Sequence, residues 1–319
     1  MSQEILNTSK PAVQGKSLKS VSLWNITRRR LFRRKSAIVG MVILGILIFI
    51  AITAPWIAPY DPIQSMLDVD DYPGRPVKRS SPCIHAFGCP EDQAQHIMGL
   101  DGNIRDEYSR ILYGARLSLM IGLTTVSFAI VIGSVLGALS GYFGGWLDNT
   151  VMRGMDVLLA FPSLLLAIAI VTVLGPGLQN ALLAIGIVSI PAYARVVRAS
   201  VLSVREMEFV SATRALGGSN IQVLFRRILP NALTPLIVYG TLGIATAILD
   251  AAALSFLGLG AQPPTPEWGA MLGAERNQVF TAPHLVFFPG IAIALTVMAF
   301  NLLGDGLRDA LDPRLAHVS

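Results

Sequence analysis

Three sets of residues have types and spacings that could do chemistry. Cys83, His85, Cys89 and His96 fall in one short stretch, spaced C-x-H-x3-C-x6-H. Two thiols so close can join as a disulfide in an oxidising compartment, stay free, or bind zinc with the imidazoles, although the spacing is not a common zinc pattern. Asp250 is the one acid well inside an apolar run, Leu233 to Leu257. A carboxylate at membrane depth is costly. It lines a solute path, pairs with a partner subunit, or lies close enough to the outer interface to be hydrated. The third set is the polar stretch from Arg205 to Asn220, where Phe209, Ala212 and Leu216 recur at helical spacing beside Glu208, Thr213 and Arg214.

Catalytic alternatives are poorly supplied. A phosphate-cradling loop needs G-x-x-x-x-G-K-S/T. Lys35-Ser36 is the only Lys-Ser pair near an apolar block, and no glycine precedes it at the needed places. Metal-dependent hydrolysis by H-E-x-x-H has no counterpart, because the few histidines lie outside the apolar blocks or at their edges. No cofactor is expected on this chain, and ATP hydrolysis with its Mg belongs to a partner.

The elements that must position these residues are membrane helices. The 319-residue chain is 53% hydrophobic and 14% charged, where a soluble protein is about a quarter charged. Crossing a bilayer takes roughly 20 apolar residues. Six blocks come close to or meet that length: Ala37–Ala54, Leu117–Leu139, Val157–Leu174, Ala181–Ala194, Leu233–Leu257 and Leu285–Leu303. The first is too long for a signal-peptide core and lacks a good cleavage site, so it reads as a retained anchor. The expected fold is therefore all-α and polytopic, with six transmembrane helices.

Orientation follows from charge. The net charge is +5, and nine basic residues from Lys10 to Lys35 precede the first block. They place the N-terminus in the cytoplasm. Alternation puts the acid-rich loop after Ile57 outside, the arginines from Arg195 to Arg227 inside, and the C-terminus inside. Neither basic group is interleaved with aromatics, which argues against nucleic acid as a partner. Trp56, Tyr60, Trp146 and Trp268 suit interfacial positions. The chain divides into a basic tail (1–36), a first span (37–57), an outer loop (58–111), a five-helix core (112–304) containing an inner loop (203–229), and a C-terminal tail (305–319).

Within the spans, Gly133, Gly137 and Gly141 make a smooth stripe for close helix packing. Pro162, Pro191 and Pro289 predict kinks. In the inner loop, Gly217-Gly218 suits a left-handed helix stop, and Ser219 or Asn220 can cap a second short helix reaching Ile228. A partner's groove could receive such an element. Periodicity alone favours the plainer alternative, an ordinary helix lying at the membrane surface.

This inner loop resembles that of binding-protein-dependent ABC permeases, written E-A-A-x3-G-x9-I-x-L-P. Ser211, Ala212 and Thr213 occupy the first three positions, Gly217 matches the glycine, and Leu229-Pro230 match the end. Arg227 replaces the isoleucine. The peptide-transporter form, E-F/Y-V-x-A-A-R-A-L-G, fits better through Glu208, Phe209, Val210, Ala212, Arg214, Ala215, Leu216 and Gly217. Similarity extends to Gly99–Arg116, Gly141–Trp146, Ser255–Gly260, Pro264–Gly269 and Asn301–Arg314, and it is to the C-type permeases of dipeptide, oligopeptide and nickel importers. Leu100 and Ile104 depart from the usual threonine and glycine.

The resemblance implies a type I importer core in a bacterial or archaeal plasma membrane. It also implies a homologous B-type permease, two ABC ATPase subunits and an extracytoplasmic solute-binding protein as partners. Glu208, Phe209, Ala212, Thr213, Arg214, Leu216 and Gly217 are then the residues expected to couple to the ATPase. A self-contained secondary transporter or channel is the alternative, but inverted repeats and intramembrane charge pairs are not evident.

Overall fold

The computed structural model describes residues 29–70 and 72–311. Most of the basic N-terminal tail, Asp71 and the Pro313-Arg314 end of the last similar stretch lie outside the described residues. Among those described there is no strand; two isolated bridges, Cys83 with His96 and Leu100 with Asp106, are the only β-type pairings.

Five helices are long and apolar enough to cross a membrane. They are α1 (Lys35–Ile57), α2 (Glu107–Phe143), α5 (Leu178–Arg205), α9 (Thr234–Phe256) and α11 (His284–Leu311). The 37 residues of α2 extend about 55 Å at 1.5 Å per residue. That exceeds the roughly 30 Å of a hydrocarbon core, so α2 projects beyond it. Its start is fixed by Asp106, whose carboxylate accepts from the Ser109 N–H at 2.8 Å and the Ser109 hydroxyl at 2.7 Å.

The expected third span is sharply bent. Val157–Leu174 is not one straight helix but parts of α3 (Gly145–Leu159) and α4 (Ser163–Leu174), which meet at 92°. The cause is Pro162, which has no N–H to donate and pushes Phe161 away from helical geometry. Pro162 stands just before α4, at the bend. At about 18 Å, α4 is too short to cross alone. Pro191 and Pro289 lie inside continuous helices. The membrane part is thus five long helices, or six spans if the bent pair counts as one.

The core has two centres. One lies between α2 and α5, where half of the apolar window of α5 is buried against a third for α1 and α11. The glycine stripe explains how closely these helices approach. A Cβ added at Gly133 would stand 2.8 Å from Tyr193 Cβ, and one at Gly141 would stand 2.9 Å from the Arg198 carbonyl oxygen. Only hydrogens fit, so the stripe packs α2 on α5. The second centre joins α1, α2, α9, α11 and α10 (Trp268–Glu275) through Leu44, Leu47, Ile248, Met271 and Phe300. Trp268 belongs here. It is 1% exposed and donates its indole N–H to the Ile111 carbonyl at 3.1 Å, so it is not the interfacial aromatic expected. Trp56 and Trp146 are exposed.

Candidate coupling and translocation sites

At the end of the bundle where α2 and α5 finish, the chain forms a compact corner. Helix α6 (Glu208–Ala215) is followed by α7 (Asn220–Val223), a π-helical turn over Leu224–Ile228, and α8 (Leu229–Ala232). Gly217 has φ +85, a conformation that side chains resist. The Gly218 N–H bonds the Thr213 carbonyl at 3.1 Å, and the Gly217 N–H bonds that of Arg214 at 2.9 Å. This is a Schellman stop. Gly218 is needed for a second reason, since an added Cβ would lie 2.9 Å from the Thr213 oxygen. Ser219 Oγ then accepts from the Gln222 N–H at 3.3 Å and starts α7.

The corner is held from below and bare on top. Val210, Val223, Leu224 and Ile228 are fully buried in the α2–α5 core. Thr213 is half-buried, and its hydroxyl donates back to the Phe209 carbonyl at 2.7 Å. Glu208, Phe209, Ala212 and Arg214 are exposed, and Leu216, beside Gly217, is 89% exposed. Met207 and Ile221, at the start and beyond the turn of the same segment, are exposed as well. A leucine held almost entirely clear of its own protein contributes nothing to folding there. It is available to a groove on another molecule.

Polar contacts tie the corner to α2. Tyr142 donates its hydroxyl to Asn220 Oδ1 at 2.8 Å, and Arg214 stacks over the Tyr142 ring at 5.4 Å. Arg205 Nη1 donates to the carbonyls of Gly141 and Tyr142 at 3.3 and 3.1 Å, where the end of α2 leaves acceptors free. The sequence reading missed Tyr142. Its only signal was membership of the Gly141–Trp146 stretch.

Asp250 lies on α9, part-buried, with no ion-pair partner among the described residues. Thr246, one turn earlier, and neighbouring Leu249 are exposed. The carboxylate is thus partly covered by this chain, at the edge between the buried Ala247 and Ala251 and the exposed Thr246 and Leu249.

At the opposite end of the bundle, the structure joins Cys83 to Cys89, with Cα atoms 5.3 Å apart. His85 lies beside them, its Nε2 2.8 Å from the Gln93 carbonyl oxygen. His96 is turned elsewhere. Its Nδ1 stands 2.7 Å from Asp106 Oδ1, and its Nε2 stands 2.6 Å from the Tyr72 hydroxyl. With Asp106 ionised, Nδ1 donates and Nε2 accepts from Tyr72. Burial pushes the Tyr72 phenol up to about 12, so it keeps its proton. The two thiols and two imidazoles do not converge on one centre.

A further staple went unread in the sequence. Asp101 holds Arg105 at 2.8 Å, and Arg110 donates to the carbonyls of Pro62 and Pro264 at 2.8 and 3.2 Å. Glu275 of α10 accepts from Arg79 at 2.7 Å and from the Gly102 N–H at 2.9 Å. These bonds fasten the outer loop to α2 and α10. The signal was present as Asp101/Arg105, acid and base four apart; Arg110 also pairs with Asp101, at 3.5 Å, nine residues away. Glu267 caps α10 through the N–H groups of Gly269 and Ala270. Burial raises the pKa of its carboxyl, against the pull of those two bonds.

Comparison with known proteins decides the family. Residues 117–317 match the binding-protein-dependent transport system inner membrane component, and residues 22–74 match the N-terminal TM domain of oligopeptide transport permease C. The chain belongs to the family of binding-protein-dependent transport system inner membrane components. The permease is 48% identical to the dipeptide transport system permease protein DppC of Alkalihalophilus pseudofirmus, covering 93% of this chain and 91% of that one. It is 46% identical to the di/tripeptide transport system permease protein DppC of Pseudomonas aeruginosa, over 89% and 90% of the two chains. It is 46% identical to the glutathione transport system permease protein GsiD of Escherichia coli, over 92% and 91%. Its fold is that of a chain of the inward-facing MetNI methionine ABC transporter, with TM-score 0.53 and 21% identity, over 64% of the permease and 97% of that chain. The permease is a multi-pass ABC importer subunit with the all-α fold expected.

Proposed function

We propose that this permease forms half of a transmembrane pathway for short peptides in a bacterial plasma membrane. It pairs with a homologous B-type permease, receives solute from an extracytoplasmic binding protein, and is driven by two ABC ATPase subunits that hold the ATP and Mg. Both termini and the α6–α8 corner face the cytoplasm, as the arginines near that corner favour. Glu208, Phe209, Ala212, Thr213, Arg214 and Leu216 form the seat for one ATPase subunit, with Gly217 setting the angle. The peptide assignment rests on relatives whose names specify dipeptides, di/tripeptides and glutathione, itself a peptide.

The observation that carries the coupling role is Leu216, 89% exposed at the tip of a corner whose base is fully buried. Closing the ATPase pair moves the seated corner. The corner is packed into the α2–α5 core, so those helices tilt with it and switch access. Asp250 faces the pathway or the second permease. Co-purification tests the reading. A tagged permease is expected to retain the ATPase subunits, and Leu216→Asp is expected to lose them without loss of the permease itself. Retention by the Leu216→Asp variant contradicts the seat. Uptake of labelled nickel and no labelled di- or tripeptide by the reconstituted complex contradicts the solute.

A further inference from the structure

We propose that Tyr142 is the positioning residue that fixes the coupling corner to the end of α2, so that displacement of Leu216 reaches the α2–α5 pair instead of being absorbed in the loop. The inference rests on the reading of that corner as the ATPase seat. Tyr142 is 6% exposed in the last turn of α2. It touches three successive parts of the distant segment. Its backbone carbonyl receives Arg205 at the end of α5, its ring carries Arg214 of α6, and its hydroxyl bonds Asn220 at the start of α7.

Two kinds of force hold the corner, and they differ in what they fix. Val210 and Leu224 are buried by the hydrophobic effect, which has no direction. Such a contact keeps the corner attached yet tolerates sliding. A hydrogen bond weakens steeply as its angle departs from linear. The Tyr142–Asn220 bond, at 2.8 Å, therefore sets register as well as attachment. It sits on either side of the Gly217-Gly218 turn from Arg214, so both arms of the corner are referred to one ring. Beneath it, Gly141 lets α5 approach α2 without an intervening side chain. A push on Leu216 thus meets a joint before it meets a hinge.

The test uses the complete complex in proteoliposomes and measures labelled dipeptide taken up per ATP hydrolysed, with ATPase retention measured by pull-down. Tyr142→Phe keeps the ring and removes one bond. It is expected to retain the ATPase subunits while uptake per ATP falls about fivefold, the factor that one ordinary hydrogen bond represents. Asn220→Ala is expected to match it. The double variant is expected to be no worse than either single one, because both remove the same contact. Asn220→Asp keeps an acceptor and is expected to recover most of the ratio. Unchanged uptake per ATP in both single variants, or losses that add in the double, overturns the joint. If Tyr142→Phe fails to assemble, Asn220→Ala and Asn220→Asp, at an exposed position, decide alone. A wild-type complex that retains no ATPase overturns the seat itself, and it does so before any variant is made.

Discussion

Arg198 grips both carboxylate oxygens of Asp148, Nε to Oδ1 at 2.5 Å and Nη2 to Oδ2 at 2.5 Å. The pair joins α5 to α3, and Arg195 with Asp156 repeats the link two turns further along α3. Helix α3 has no buried residue of its own. These ion pairs therefore join the partly buried Met155 in attaching it to the bundle. Arg195 and Arg198 do not simply reach for the membrane surface, as their place at the end of an apolar block suggests; each has an acid to bind.

That arrangement predicts a measurable coupling. Asp148 is 16% exposed and Arg198 34%, so solvent screens the pair in part, yet its bidentate geometry is strong. A double-mutant cycle with Asp148→Asn and Arg198→Gln is expected to give a coupling of about 1 kcal/mol in thermal unfolding of the detergent-solubilised permease. Strictly additive losses would show that the two side chains do not act together.

Changing Phe209 and Leu216 separates docking from folding. Both are exposed. Phe209→Ala and Leu216→Ala should each shift unfolding by less than about 0.5 kcal/mol. Because a few seated side chains carry most interface energy, Leu216→Ala should weaken ATPase binding by about 1–2 kcal/mol, near tenfold. Titration with purified ATPase subunit measures it. A large loss of stability with unchanged binding would assign Leu216 to the fold instead.

At Ile104 two effects compete, and their sizes decide the outcome. Its φ is +60, which costs a side-chain-bearing residue about 1–2 kcal/mol. Its side chain is 5% exposed and packs with Met66 and Leu100. Losing that burial costs more, about 2–4 kcal/mol. Ile104→Gly should therefore destabilise the outer loop by about 1–2 kcal/mol despite relieving the backbone, as read by limited proteolysis between residues 60 and 106. A gain in protease resistance would mean that strain outweighs packing.

The Cys83–Cys89 link closes a short loop, worth about 2 kcal/mol in chain entropy. Replacing both by serine should increase protease sensitivity in that loop and leave ATPase binding unchanged, since the two sites lie at opposite ends of the bundle. Alkylation should require prior reduction. Free reaction with maleimide before reduction would contradict the pairing.

Apolar length and loop charge were enough to read the fold class and most of the spans. At Val157–Leu174 they missed the sharpness of the bend, because hydropathy sums over a window and cannot see a 92° corner. Pro162 was visible, but whether a proline bends a helix or ends it depends on what packs beside it. Pro191, with α2 against its helix, stays inside α5. The turn at Gly217-Gly218 was legible because left-handed backbone demands a residue type. The coupling joint was not, since Tyr142 and Asn220 stand 78 residues apart and neither is unusual at its own position. The outer staple was half legible. The four-residue spacing from Asp101 to Arg105 could be seen, but the bonds to Glu275 of α10 arise only on folding.

The central claim is that the corner carrying Leu216 faces the cytoplasm and seats an ATPase subunit. A Leu216→Cys variant, made with Cys83 and Cys89 replaced by serine, tests it with a membrane-impermeant maleimide. Labelling in inside-out vesicles stripped of ATPase, protection when the ATPase is restored, and no labelling of intact cells is the predicted result. Labelling from the outside of intact cells, or equal labelling with and without the ATPase, contradicts it.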